Sequence, residues 1–389
     1  MNTFIKLTRI ISLVCMFVFF SKSSCMDQLL ASGGQDNIVR IWDVSSGLPV
    51  TRFKVRSRAR SRKPVVVSMA FSPDGTLLAS GHTDGKVRIW NARSGERIKV
   101  FKGHFDYVYS VAFNHDGTIL ASAGDQAVIL RDIKKNWGSI ARLAIRKKIS
   151  AIAFSLDGQR LYAGTPGGCV VWDALSYKKT AYIDIGKMVY SLALSPNGSM
   201  LAVGTGCGSV IVFNSRNPFE KEKEIILKGR VKSLAFAPDG SNKIAFACDE
   251  ERYGPDFGHV GIWDLDKSKN TVSVFARSSG RGARSVSFSP SGKMLASGFG
   301  DGVIRVWDVS SGIPQDVCCE GKAFMVPTEQ VLIGGKGYVS TVIFSPVVSV
   351  RHDLEERLGF LQEKMGAENI PEVERVELPA KKKCSCQSS

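Results

Sequence analysis

Residues 71–91 read FSPDGTLLASGHTDGKVRIWN, and residues 288–308 read FSPSGKMLASGFGDGVIRVWD. The two passages lie far apart in the chain, yet they share turn residues, apolar positions and a closing Trp. Self-similarity of this kind marks a repeat architecture and takes precedence over any local reading. Residues 29–43 (LLASGGQDNIVRIWD) carry the later part of the same pattern. More diverged copies occupy 113–132, 154–173, 194–214 and 236–264. Their Trp-equivalent positions are Trp42, Trp90, Arg131, Trp172, Phe213, Trp263 and Trp307, spaced by 48, 41, 41, 41, 50 and 44 residues.

Each copy has the grammar of short strands joined by tight turns. V-x-S-V-x-F is apolar on both faces, as a strand packed between two neighbours must be. S-P-D-G supplies turn residues, with a Gly free to take positive φ. L-A-S-G is a second strand, x-x-D-G a second turn and V-R-I-W-D a third strand. A more polar fourth strand follows, such as Arg97–Phe101. Antiparallel four-stranded sheets at this period resemble the blades of a WD40 β-propeller.

The resemblance covers seven copies and implies an all-β, seven-bladed propeller. The first copy begins at its second strand, Leu29–Ser32, and the last stops after its first, Tyr338–Phe344. The surplus at one end matches the deficit at the other. Val339–Phe344 is therefore expected to pair with the Leu29–Trp42 hairpin and close the ring, which removes exposed sheet edges. The expected organisation is a leader at 1–25, a propeller at 26–347 and a short helical or disordered tail at 348–389.

The resemblance also implies a buried network of His, Ser, Asp and Trp in each blade. Three members are present as Ser32, Asp36 and Trp42, as Ser80, Asp84 and Trp90, and as Ser297, Asp301 and Trp307. The dipeptide Gly103–His104 belongs to the third copy, where Trp is replaced by Arg131. No copy is expected to hold the full set. His82 and His115 read as turn residues.

Catalytic chemistry finds no support in the motifs. His82, His104, His115, His259 and His352 show no ligand spacing, and there is no G-x-S-x-G or phosphate loop. Turn aspartates ordinarily bond their own backbone. No cofactor is expected. The nine cysteines show no framework spacing, and Cys169 and Cys207 read as fillers of small volumes.

The resemblance places partner binding at the narrow end of the ring, around the starts of the first strands. The candidates there are Tyr107, Tyr109, Lys148, Tyr190, Arg230, Lys232, Arg284 and Tyr338. Tyr and Arg concentrate binding energy, and an aromatic arc beside a basic one suits an acidic or phosphorylated peptide. The expected function is a non-enzymatic protein-interaction scaffold.

Two rivals stand beside it. The run KVRSRARSRK has six basic residues in ten (Lys54, Arg56, Arg58, Arg60, Arg62, Lys63) and could grip nucleic acid or an anionic surface. An exported propeller enzyme is the other. The net charge of +16 fits an acidic partner of any kind.

The ends carry processing signals. Lys6 and Arg9, the apolar stretch Ile10 to Phe20 and the small residues Ser21 to Cys25 read as a secretory signal. Its cleavage would mean export, and its retention a cytoplasmic protein. Val350, Leu354, Leu358 and Leu361 recur at helical spacing. Cys386 sits at the C-a-a-X position behind Lys381–Lys383 and is a candidate for lipidation, which alone would attach the chain to a membrane.

Overall fold

A computed structural model describes residues 29–55, 64–215, 220–249, 258–267, 272–278, 282–309, 329–333 and 337–346. The chain divides into two units, Met1–Val348 and Ser349–Ser389. The expected leader, the loop residues Arg56, Arg58, Arg60, Arg62 and Lys63, the tail helix and Cys386 lie outside the described residues.

Every regular element among the described residues is a strand. In chain order they are β1 (Leu29–Gly34), β2 (Ile38–Asp43), β3 (Leu48–Lys54), β4 (Val66–Phe71), β5 (Leu77–His82), β6 (Val87–Asn91) and β7 (Arg97–Phe101). Next come β8 (Ser110–Phe113), β9 (Ile119–Ala123), β10 (Ala127–Asp132), β11 (Gly138–Ala144), β12 (Ala151–Phe154), β13 (Arg160–Asp173) and β14 (Lys179–Leu194). The remainder are β15 (Met200–Thr205), β16 (Ser209–Asn214), β17 (Lys221–Ile226), β18 (Arg230–Phe236), β19 (Lys243–Asp249), β20 (Gly258–Asp264), β21 (Val272–Ser278), β22 (Ala283–Phe288), β23 (Met294–Phe299), β24 (Val303–Asp308), β25 (Glu329–Ile333) and β26 (Val339–Phe344).

The strands form six sheets, which corrects the seven blades expected from the repeat count. Five are four-stranded: β26-β1-β2-β3, β4 to β7, β8 to β11, β18 to β21 and β22 to β25. The sixth joins β12 to β17 in one six-stranded sheet. The cause is the length of β13 and β14, at 14 and 16 residues. The first part of β14 pairs with β13 (Cys169↔Ile183) and its last part with β15 (Leu192↔Val203), so one strand serves two copies of the repeat. The turn residues that separate strands elsewhere are here absorbed into the ladder, as in Pro166↔Met188.

The ends of the ring meet as the repeat offset requires. β26 lies antiparallel to β1, with Leu30↔Phe344 and Ser32↔Val342. The inner strands β4, β8, β12, the second part of β14, β18, β22 and β26 succeed one another around the ring. The Ser of V-x-S-V-x-F stitches them together. Ser68 Oγ accepts from Val111 N at 3.1 Å, Ser110 Oγ from Ile152 N at 3.2 Å, Ser233 Oγ from Val286 N at 3.2 Å and Ser285 Oγ from Val342 N at 3.1 Å.

The core is a set of layers between adjacent sheets. Ile41 and Phe53 of the first sheet meet Phe71, Leu78 and Trp90 of the second. Leu30, Trp42 and Phe344 meet Ala296, Ile304 and Val306 across the closure. The L-A-S-G glycine has a packing reason. A Cβ on Gly81 would stand 2.8 Å from Val108 Cγ1 of the next sheet, and one on Gly204 would stand 2.7 Å from Val231 Cγ1.

Candidate partner-binding face

The turns explain many of the charged residues that would otherwise suggest chemistry. In the S-P-D-G turn, Asp74 Oδ1 accepts from Thr76 N at 3.1 Å while Ser72 Oγ accepts from Leu77 N at 2.9 Å. Asp116, Asp157 and Asp239 bond the backbone two residues on in the same way. Bonds from Ser155, then Gln159 N, hold Asp157 below the usual carboxylate range. These carboxylates are structural.

A second aspartate in the repeat pairs with an arginine four residues on. The pairs are Asp36–Arg40 at 2.6 Å, Asp84–Arg88 at 2.7 Å and Asp301–Arg305 at 3.3 Å. Trp42 Nε1 donates to Ser32 Oγ at 2.8 Å, and Trp90 Nε1 to Ser80 Oγ at 2.7 Å. His82 overturns its reading as a turn residue. It ends β5 fully buried, with Nε2 2.8 Å from Ser80 Oγ, so a Trp90–Ser80–His82 chain runs through the second sheet. Burial, then the Arg88 charge, lowers its pKa to about 3, so the ring is neutral at ordinary pH. The signal was present in Gly81–His82. It was obscured because this His closes the second strand of its copy rather than preceding the copy.

In the third sheet His104 Nε2 lies 2.9 Å from Ser122 Oγ, the slot the resemblance implies. Arg131 takes the place of the indole. Its guanidinium lies 4.6 Å from the centroid of Phe101, much as Trp90 stacks on Phe53 at 5.2 Å. Trp137, from the following turn, also packs on Phe101, tilted, with ring centroids 5.6 Å apart.

The eight candidate partner-binding residues all lie at or just before the starts of inner strands, and all are half-buried. Three Tyr–cation pairs form between successive inner strands. Lys148 Nζ stands 4.0 Å from the Tyr109 ring, Lys232 Nζ 4.6 Å from Tyr190, and the Arg284 guanidinium 4.4 Å from Tyr338. Tyr107 packs against Tyr109 at 5.7 Å. Arg230 is register-paired with Asp249, to which Lys232 also forms an ion pair at 3.7 Å. Val65, ahead of β4, and Val67, within it, bring no charge to the face. Of the basic loop, Lys54 alone is described, and it is exposed.

The face also carries acid that the sequence reading missed. Burial, then Asp125 and Asp106, pushes the Tyr109 hydroxyl up to about 12, so it remains a donor. Burial, then Asp106, raises the Asp125 carboxyl. These residues fall in turns of two different strand pairs, and sequence spacing gave no sign of their meeting. Among the described residues no group of three or more His, Cys, Asp or Glu is placed to hold a metal ion.

The WD40 family (WD domain, G-beta repeat) matches residues 14–43, 55–91, 95–132, 184–214 and 269–308. This chain carries WD40 repeats. The copies at 154–173 and 236–264 fall entirely outside these matches, yet both fold into paired strands, β12–β13 and β18–β20.

Curated relatives are WD repeat proteins as well. The chain is 35% identical over 165 residues to WD repeat-containing protein SL1-17 of Schistosoma mansoni, covering 42% of this chain and 48% of that one. It is 29% identical to Periodic tryptophan protein 2 of Arabidopsis thaliana over 42% of this chain and 18% of that protein. It is 26% identical to the guanine nucleotide-binding protein subunit beta of Oryza sativa subsp. japonica, over 38% and 40%. The matched part spans about half or less of each relative's length. WD40 propeller proteins typically act as protein-interaction scaffolds.

Proposed function

We propose that this protein is a non-enzymatic binding platform whose inner-strand ends hold an acidic segment of a protein partner. The observation that carries the reading is the series of three Tyr–cation pairs on successive inner strands. Each pair offers a charge already desolvated on one side by a ring. A cation over a ring is worth about 0.5–1 kcal/mol when exposed and about 2 kcal/mol when desolvated. A carboxylate or phosphoryl group closing on such a pair meets a cation held beside a ring, sharing Lys232 with Asp249, and the ring covers the apolar part of the segment. Asp106 and Asp125 lie beside Tyr109, so the acidic segment is expected to run from Lys148 towards Arg284 and to avoid Tyr107.

The test is fluorescence anisotropy of the full chain with matched acidic and basic peptides. The acidic peptide should bind more tightly. Combined Lys148→Ala, Lys232→Ala and Arg284→Ala should weaken it by about tenfold or more, and Lys148→Ala with Arg284→Ala, which leaves the buried Asp249 its Lys232 partner, should weaken it at an unchanged thermal melt. Equal binding of both peptides, or no effect of the triple variant, would place the partner elsewhere.

A further inference from the structure

Two guanidiniums in the third sheet are bound in a different way from the others of the repeat. Arg40, Arg88 and Arg305 pair with carboxylates four residues earlier. In the third sheet the position four residues after Asp125 is Ile129, so that pair is lost. Arg131 stands instead where other copies have Trp, and Arg142 lies directly across the ladder from Ile129. Arg131 donates to Lys102 O and Arg142 to Gly103 O, each at 3.1 Å. Among the described residues neither pairs with a carboxylate. Two positive charges therefore converge on adjacent carbonyls of one loop, each with N–H donors to spare.

Beside them opens a cleft of about 60 Å³ lined by His104, Phe105, Asp125, Gln126, Ala127 and Arg142. That is room for about four waters, the scale of a tetrahedral oxyanion. Phe105 walls it with a ring 93% exposed, and the Arg142 guanidinium lies 5.8 Å from that ring. Asp125 is the acid in the lining, and burial, then Asp106, raises its carboxyl pKa.

We propose that this cleft, between the loop after β7 and the β9–β10 turn of the third sheet, binds an oxyanion of the phosphate class. Arg142 and the Gln126 amide make the contacts, and Arg131 supplies a second charge one carbonyl away. The anion is either free phosphate or a phosphorylated side chain of a partner. His104 is a built-in reporter. Burial, then Arg131 and Arg142, lowers its pKa to about 4, and an anion seated beside it must raise that value. Neither arginine is among the candidate docking residues, although Asp125 both lines the cleft and lies beside Tyr109 on that face.

The test titrates the full chain with inorganic phosphate at constant ionic strength, by calorimetry and by NMR of the His104 imidazole. Saturable binding with a rise in the His104 pKa is expected. Arg142→Gln should weaken binding by about tenfold or more. Arg131→Trp should weaken it as well while melting no lower than the parent, because the indole can stack on Phe101 as Trp90 does on Phe53. A phosphoserine peptide that binds more tightly than phosphate, with the same arginine dependence, would assign the anion to a partner; equal affinity would assign it to the free ion. Either result upholds the oxyanion site. No saturable binding, parental affinity in both variants, or equal binding of the peptide with Glu in place of phosphoserine would overturn it.

Discussion

His82 is the residue whose environment changes its chemistry most. Its pKa of about 3 lies well below the ordinary 6.5, so the unfolded chain binds a proton between those values that the folded chain does not. Stability therefore rises with pH across that window and is lost on acidification. Each such histidine contributes a slope of up to about 1.4 kcal/mol per pH unit. His104, at about 4, adds in the same direction over a narrower window. Urea denaturation at steps from neutral to pH near 4 should show a steady loss of stability. His82→Gln should flatten that dependence and, at neutral pH, cost about 1–3 kcal/mol through the orphaned Ser80–Trp90 pair. His115→Gln, in an exposed turn, should cost little at neutral pH. A slope unchanged in His82→Gln would mean the ring is not buried in the neutral form.

At the scale of the strand, the repeat signature divides into parts that make a turn and parts that join sheets. Ser72 and Asp74 shape their own turn, whereas Ser68, Ser110, Ser233 and Ser285 reach the next inner strand. The L-A-S-G glycine belongs to the second group. Gly204→Ala would push a methyl to 2.7 Å from Val231 Cγ1. Overpacking of this kind costs about 1–3 kcal/mol, measurable as a lower denaturant midpoint. The double variant Gly204→Ala with Val231→Ala should recover part of the loss, since it relieves the contact with Val231 and leaves the one with Ser191 Oγ. No recovery would locate the strain at Ser191 instead.

For the whole ring, closure is the cooperative event. β26 pairs with β1 along its length and places Val339, Val342 and Phe344 in the core with Leu30 and Trp42. A chain ended before Val339 would expose the β1 edge and open one inter-sheet layer. It should lose the single cooperative melt of the parent and associate in solution, as followed by calorimetry and light scattering. A chain ended at Val348 retains the unit that contains the ring and should melt like the parent. A cooperative parental melt in the shorter chain would show that closure is dispensable.

Strand identity, turn chemistry and the offset at the two ends were legible in the residues, because each depends on alternation, on Gly and Asp at turn positions, or on a missing piece counted along the chain. The eight candidate face residues were legible as positions, since every copy starts its inner strand at the same point of the repeat. Their partners were not. Tyr109 meets Lys148, and Tyr190 meets Lys232, across sheets whose contact no spacing within one copy encodes. The same holds for Arg131 on Phe101 and for His82 turned inward on Ser80. The number of sheets was decided in space as well: β13 and β14 run on through their turns because the ladder continues to pair there, and that pairing energy exists only once both strands are in place. A repeat in sequence sets what each segment can form; contact between segments sets which of those forms is shared.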